Sequence, residues 1–299
     1  MSLQRLSLFA LALFTFVACD TGTSADEGTR LELSISGLDP LTNGFHYEGW
    51  AIVDGQPVTT GKFNVNADGR YTDLNGREIS NTFEVDRDIS TATAVVLTIE
   101  PAGDTDTVPA ATKYLGGDLR SGSASLSVAH GSSLGDTYAN AAGTYILATP
   151  TDGPNSDETS GIWFLDPSSG MPVAGLDLPT LPDGWAYEGW VVIDGSPVTT
   201  GTFTSVDTAD DAAPFSGPNA GPNYPGEDFL MNAPAGLSFP VDLSGRTAVI
   251  SIEPMPDDSP APFTLKPLAG PIPSGAQPMT PYTVDNNASS FPTGSASIR

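Results

Sequence analysis

The chain has 299 residues, with 36 Asp and Glu against 11 Lys and Arg, which gives a formal net charge of −25 at pH 7. A field of this sign repels nucleic acid and anionic lipid headgroups, so the composition argues against a nucleic-acid-binding protein. We interpret the acidity as a salt-adapted, solvated surface of the kind found in halophilic proteins. Weak cation binding is the alternative, although the aspartates do not follow the spacing of a calcium-binding loop.

The N-terminal residues predict a secretory signal. Arg5 supplies a positive charge, residues 6–16 form a largely apolar run of 11 residues, and the chain's single cysteine, Cys19, follows. This run is too short to cross a bilayer and is typical of a signal-peptide core. No later segment is apolar for long enough to span a membrane.

The position of Cys19, directly after a small residue at the end of the apolar run, resembles the bacterial lipobox. In that motif the thiol is diacylated, and cleavage then makes the cysteine the mature N-terminus. The usual leucine three residues earlier is replaced here by Phe16. We expect residues 1–19 to be a lipoprotein signal, 20–29 to be a polar tether, and lipidation at Cys19 to anchor the protein in a lipid bilayer outside the cytoplasm. The alternative is an ordinary signal peptide cleaved nearby.

With Cys19 acylated, the mature chain has no disulfide and no cysteine-based zinc site. Its fold must therefore rest on buried apolar surface.

The segments that follow predict an all-β protein. Glycines and prolines, 32 and 27 in number, interrupt any helical periodicity, and short β-rich segments recur between turn residues. The expected strands of the first unit are 30–36, 45–53, 58–65, 81–85, 93–100, 113–115 and 123–128, and those of the second are 173–178, 185–193, 198–204, 237–241, 247–253, 263–268 and 295–298. Asp54-Gly55 and Pro57 predict a hairpin turn between the second and third strands.

An internal repeat organises these strands. Residues 47–63 match 187–203 at 12 of 17 positions. We interpret this as an internal duplication that produces two tandem β-sandwich domains, 30–168 and 169–299, each with its own core. An insertion at 207–236 lengthens the second copy. The apolar segments 144–149 and 161–165 either complete the first unit or bridge the two.

The repeat keeps two acidic side chains in each copy. Glu48 lies on a strand whose two faces are both largely apolar, so its carboxylate must be paired or hydrogen-bonded. Lys113 follows Glu100 by 13 residues, and a second lysine follows the second copy's acid at the same spacing. We therefore expect structural ion pairs among Glu48, Glu100, Lys113, Glu188, Glu253 and Lys266.

The alternative for these acids is the acid and base pair of a glycosidase. No nucleophile motif accompanies them, and His46 is replaced by Ala186 in the second copy. We therefore expect no catalytic residues, no metal site and no cofactor. The four tryptophans are either a sugar-stacking platform or, as we expect for most of them, core residues.

The repeated motifs resemble a known family. Tyr47-Glu-Gly-Trp50, the turn Gly55-x-Pro57-Val-x-x-Gly61 and the strand end Glu100-Pro101-Ala102-Gly103 are similar to motifs in the extracytoplasmic C-terminal domain of anti-sigma-K factors. The resemblance covers 47–103 and 187–256 and implies an all-β sensory or interaction domain without catalytic residues. Such factors also have a cytosolic sigma-binding domain and a transmembrane helix. This sequence shows neither, so we expect it not to inhibit a sigma factor itself.

Together these features predict a cell-envelope lipoprotein, periplasmic or on the cell surface, with non-catalytic binding, sensory or structural modules. Its expected partners are the lipid bilayer and an unidentified envelope protein or glycan. The alternative function is a secreted enzyme resembling a glycoside hydrolase that uses the strand carboxylates.

Overall fold

The computed structural model of the protein describes residues 29–153, 158–257 and 259–299. The predicted signal, Cys19 and nearly all of the predicted tether lie outside these residues. Among the described residues, no helix has the length and apolar character needed to cross a membrane.

The regular structure of the described residues is β apart from one 3-10 turn, Ala288–Ser290, which confirms the all-β prediction. The strands are β1 (Arg30–Ser36), β2 (His46–Val53), β3 (Gln56–Val65), β4 (Tyr71–Thr72), β5 (Thr82–Glu84), β6 (Ala94–Glu100), β7 (Lys113–Asp118), β8 (Ser123–Ser127), β9 (Ala142–Leu147), β10 (Gly161–Trp163), β11 (Leu165–Asp166), β12 (Val173–Ala174), β13 (Leu176–Asp177), β14 (Trp185–Ile193), β15 (Ser196–Phe203), β16 (Gly226–Asp228), β17 (Thr247–Pro254), β18 (Leu268–Pro271), β19 (Tyr282–Val284) and β20 (Thr293–Ile298).

Two expected strands are wrong. Residues 237–241 form no strand, and only the last residue of the expected strand 263–268 belongs to one. Pro240 lies inside the first segment and Pro267 inside the second. Proline has no backbone N–H to donate to a neighbouring strand, which explains both failures.

The predicted hairpin forms in both repeats. β2 joins β3 through Asp54 and Gly55, whose φ angles of 51° and 74° are those of a type I′ turn. β14 joins β15 in the same way through Asp194 and Gly195, with φ angles of 51° and 86°. The repeated sequence therefore encodes the same local structure twice.

The largest sheet has nine strands in the order β4-β3-β2-β6-β7-β8-β20-β1-β5. β20, at the C-terminal end of the chain, lies between β8 and β1 and pairs antiparallel with both. We expected this last strand in the second unit, and the assignment is wrong. The strand's alternating small and apolar residues fit the gap between two N-terminal strands, so the two halves of the chain are interlocked.

The apolar segments between the repeats join strands of the second half. β9 pairs with β10, β13 and β19, and β10 also pairs with β16. The second repeat forms a separate four-stranded sheet in the order β15-β14-β17-β18. The hairpin left unassigned by the sequence is therefore built into a sheet with strands from beyond residue 168.

Among the described residues, the buried apolar side chains of both halves form one large cluster, and a small second cluster lies on and next to β9, β10 and β11. The ring of Tyr114 lies 6.3 Å from that of Trp185 and 5.6 Å from that of Phe263, centroid to centroid. The expectation of a separate core for each unit is wrong, because aromatic side chains from both halves pack against each other.

Candidate functional site

The hairpins place the repeated acids by means of a β-bulge. The turn pairs Val53 with Gln56, and an unbroken register would place Glu48 opposite Gly61. The register shifts by one residue between Gly49 and Trp50, so Glu48 lies opposite Lys62 instead. The same shift in the second hairpin places Glu188 opposite Thr202.

In the first repeat this register creates a partly buried ion triad of Glu48, Lys62 and Asp104. Lys62 Nζ lies 3.5 Å from Glu48 Oε2, an ion-pair contact too long for a good hydrogen bond, and 2.7 Å from Asp104 Oδ2. Glu48 also accepts a hydrogen bond from the Thr59 hydroxyl. We call Glu48, Lys62, Glu100 and Asp104 the first cluster.

The electrostatics of the first cluster follow from burial and from the single lysine. Burial raises the pKa of Glu48, opposed by the Thr59 hydroxyl and the Lys62 charge. Burial also acts to lower the pKa of Lys62, but the hydrogen bond to Asp104 and the charge of Glu48 outweigh it and raise the pKa. The same hydrogen bond lowers the pKa of Asp104.

Glu100 and Glu253 are held by equivalent chains of hydrogen bonds. The Trp50 indole N–H donates to the Thr98 hydroxyl at 2.9 Å, that hydroxyl donates to Glu100, and the Ala110 N–H donates to the same carboxylate at 3.0 Å. In the second repeat the corresponding donors are Trp190, Ser251 and the backbone N–H of Phe263, and the acceptor is Glu253. These acids connect neighbouring strands from inside the protein.

The second cluster consists of Glu188, Glu253 and Asp257. Side-chain oxygens of these three residues lie within 4.8 Å of one another. Burial raises the pKa of Glu188 to about 7, opposed by the Thr199 hydroxyl. Burial raises the pKa of Glu253 to about 8, opposed by the Ser251 hydroxyl. Three acids therefore meet where the first repeat has acids and a lysine.

The expected ion pairs with Lys113 and Lys266 are wrong. Both lysines are half-buried, and within the described ranges neither has a carboxylate within 4.0 Å. Burial lowers the pKa of Lys266, and the more distant charges of Asp39 and Glu253 only partly oppose this. The equal spacing of the two lysines along the chain does not fix a cross-strand contact, whereas the hairpin register of Lys62 does.

A further group of acids lines a cavity of about 340 Å³ in the second half, together with Thr151 and Trp163. Asp210 and Asp211 lie in its wall, in the segment inserted into the second repeat. Burial raises the pKa of Asp210 to about 8, opposed by a hydrogen bond from the Gly226 N–H.

Two buried acids of β16 lie beside this cavity. Burial raises the pKa of Glu227 to about 7, opposed by the Ser216 hydroxyl. Burial likewise raises the pKa of Asp228, which accepts hydrogen bonds from the Thr151 hydroxyl and from the Trp163 indole at 2.7 Å. The four tryptophans are all buried, as expected for core residues.

Sequence reasoning found the four glutamates of the two clusters but missed Lys62, Asp104 and Asp257. One available signal was the spacing of the aspartates, because Asp104 follows Glu100 and Asp257 follows Glu253 by the same four residues. Comparison of the chain with protein-family models, with curated proteins and with solved structures finds no match.

Proposed function

We propose that the protein is a cell-envelope lipoprotein whose all-β body is a non-catalytic binding module, held outside the cytoplasm by acyl chains on Cys19. The observation that carries the binding role is the acidic cavity formed by the inserted segment 207–236. The first repeat has no matching insertion, so this cavity is a feature that the second repeat adds to the shared hairpin.

The cavity suits a ligand with both a polar and an apolar part. Asp210 and Asp211 offer acceptors for a cationic or hydroxyl-bearing group. A neighbouring cavity of about 380 Å³ shares Trp163 and Pro222 with it and is lined mainly by apolar side chains. An envelope protein or glycan is the partner class that we propose.

The burial of the repeated acids favours a binding protein over the glycosidase alternative. Glu48 and Glu100 are each 1% exposed, Glu188 is 5% exposed and Glu253 is 0% exposed. A catalytic acid or base must reach the atoms of its substrate, and these carboxylates face strand neighbours and hydroxyl groups instead.

The anchor is tested by expressing the full chain and its Cys19→Ser variant and separating membranes from soluble material after a high-salt wash. We expect the parent in the membrane fraction and the variant in the soluble fraction, because the acyl chains have no attachment point. A variant that stays with washed membranes would contradict lipid anchoring.

The binding role is tested with Ala213→Trp, which places an indole in the wall of the acidic cavity. Ala213 is exposed, so the substitution leaves the core intact, and Ala67→Trp on a distant turn is the matched control. We expect the parent and the control to bind envelope material and Ala213→Trp to lose that binding. Unchanged binding by Ala213→Trp would show that this cavity is not the binding site. Hydrolysis of envelope glycans that is abolished by Glu188→Gln would instead favour the glycosidase.

A further inference from the structure

The two clusters differ in one position that decides their charge. Lys62 of the first cluster contacts Glu48 and Asp104. The corresponding acids of the second cluster, Glu188 and Asp257, are both present. The position of Lys62 in the hairpin register is taken by Thr202, which donates hydrogen bonds to Asp211 through its N–H at 2.8 Å and its hydroxyl at 2.7 Å. The second cluster therefore keeps the acids, and among the described residues no salt bridge joins Glu188 or Glu253 to a Lys, Arg or His.

The second cluster also contains buried carboxylate oxygens without partners. Glu188 and Glu253 each use Oε1 for their hydrogen bonds, and Oε2 of each is buried with no hydrogen-bond partner. These side chains are 5% and 0% exposed. Buried carboxylates without partners are costly in the charged form, and a proton or a bound cation relieves that cost.

We propose that the second cluster binds a divalent cation, which takes the role that the Lys62 ammonium has in the first cluster. Calcium is the ion that the oxygen set fits. Its oxygen ligands lie at about 2.3–2.6 Å, so two ligands of one ion are separated by up to about 5 Å. The three side-chain oxygens lie within 4.8 Å of one another, so one calcium ion can reach all of them. Magnesium requires a near-ideal octahedron at about 2.0–2.1 Å and gives up its water ligands reluctantly, whereas calcium accepts irregular sets of carboxylate oxygens, so calcium is the better match.

The surroundings of the cluster allow an ion to enter and to keep water ligands. Asp257 is exposed. Ala186, the cross-strand neighbour of Glu253, and Thr202, the neighbour of Glu188, both line a cavity of about 290 Å³. In the first repeat the residue equivalent to Ala186 is His46, a larger side chain.

The test is calorimetric titration of calcium chloride into the purified full chain, with sodium chloride in large excess to suppress weak binding to the acidic surface. The decisive variant is Thr202→Lys, which gives the second cluster the internal cation of the first. Thr202→Val is the matched control, because it removes the same hydroxyl and adds no charge. We expect saturable binding of one ion by the parent and by Thr202→Val, and loss of that saturable binding in Thr202→Lys.

Two results would overturn the proposal: no saturable binding by the parent, or binding by Thr202→Lys as tight as that of the parent. If Thr202→Lys fails to fold, the exposed Asp257→Asn decides instead, and unchanged affinity in that variant overturns the proposal. We expect magnesium to bind more weakly than calcium, and tighter magnesium binding would refute the assignment to calcium.

Discussion

Lys62→Met is the substitution whose effect follows most directly from the structure. It removes the ammonium that faces two carboxylates and keeps the aliphatic stem of the side chain. Glu48 then stays buried with the Thr59 hydroxyl and without an opposite charge. The first half of the protein is interlocked with the second, so the damage is expected to lower the stability of the whole fold.

The loss of folding free energy in Lys62→Met can be estimated from the exposure of the Lys62 and Glu48 side chains. Breaking a buried ion pair by removing one partner costs about 3–5 kcal/mol. The Lys62 side chain is 26% exposed while that of Glu48 is 1% exposed, so water partly screens the contact. We therefore expect the lower end, about 3 kcal/mol. At roughly 2 °C per kcal/mol for a chain of this size, Tm should fall by about 6 °C.

The assay is chemical and thermal unfolding of the parent, Lys62→Met and Lys113→Met. Lys113→Met is the same chemical change at a half-buried lysine without a carboxylate within salt-bridge reach among the described residues, so we expect its effect to stay below about 1 kcal/mol. Adding Glu48→Gln to Lys62→Met should recover much of the loss, because the unpaired charge is removed. Equal destabilisation by the two lysine variants would refute the ion triad.

Three further predictions concern the whole fold. Burial raises the pKa of Asp210 to about 8, against about 4 in the unfolded chain, so the stability that it contributes is complete below pH 4 and is lost as the pH rises from about 4 through 8. Asp210→Asn should make the fall of the urea unfolding free energy between pH 5 and pH 8 less steep than in the parent, and equal slopes in the two proteins would contradict the shift. Deletion of 293–299 should abolish the cooperative melt by circular dichroism, because β1 and β8 lose the strand between them; a parent-like melt would contradict the strand order. The net charge of −25 predicts a higher Tm in molar sodium chloride through screening, and an unchanged Tm would contradict this.

Local features of the fold were predictable because they depend on neighbours in the sequence. Asp54-Gly55 specifies a two-residue turn, and the alternating segments on both sides specify the strands that it joins. The segments 237–241 and 263–268 failed because their prolines outweigh the apolar pattern. The placement of β20 was not predictable, because a short alternating strand fits many sheet edges and the pattern does not say which.

In the candidate site, too, some features were predictable from the sequence and others were not. The repeat identified Glu48 and Glu188 as residues that need partners, and the structure gives Glu48 such a partner. The identity of that partner depends on a β-bulge, which shifts the register by one residue and brings Lys62 opposite Glu48. Spacing along the chain pointed to Lys113 instead. A one-residue shift in register is invisible in composition and decides which side chains meet.

The proposed envelope function depends most directly on the chemistry of one residue. Mass spectrometry of the N-terminal peptide from the membrane-bound protein tests it. We expect the mature chain to begin at Cys19 with acyl chains on the cysteine. A mature N-terminus at another residue, or an unmodified Cys19 thiol, would contradict it.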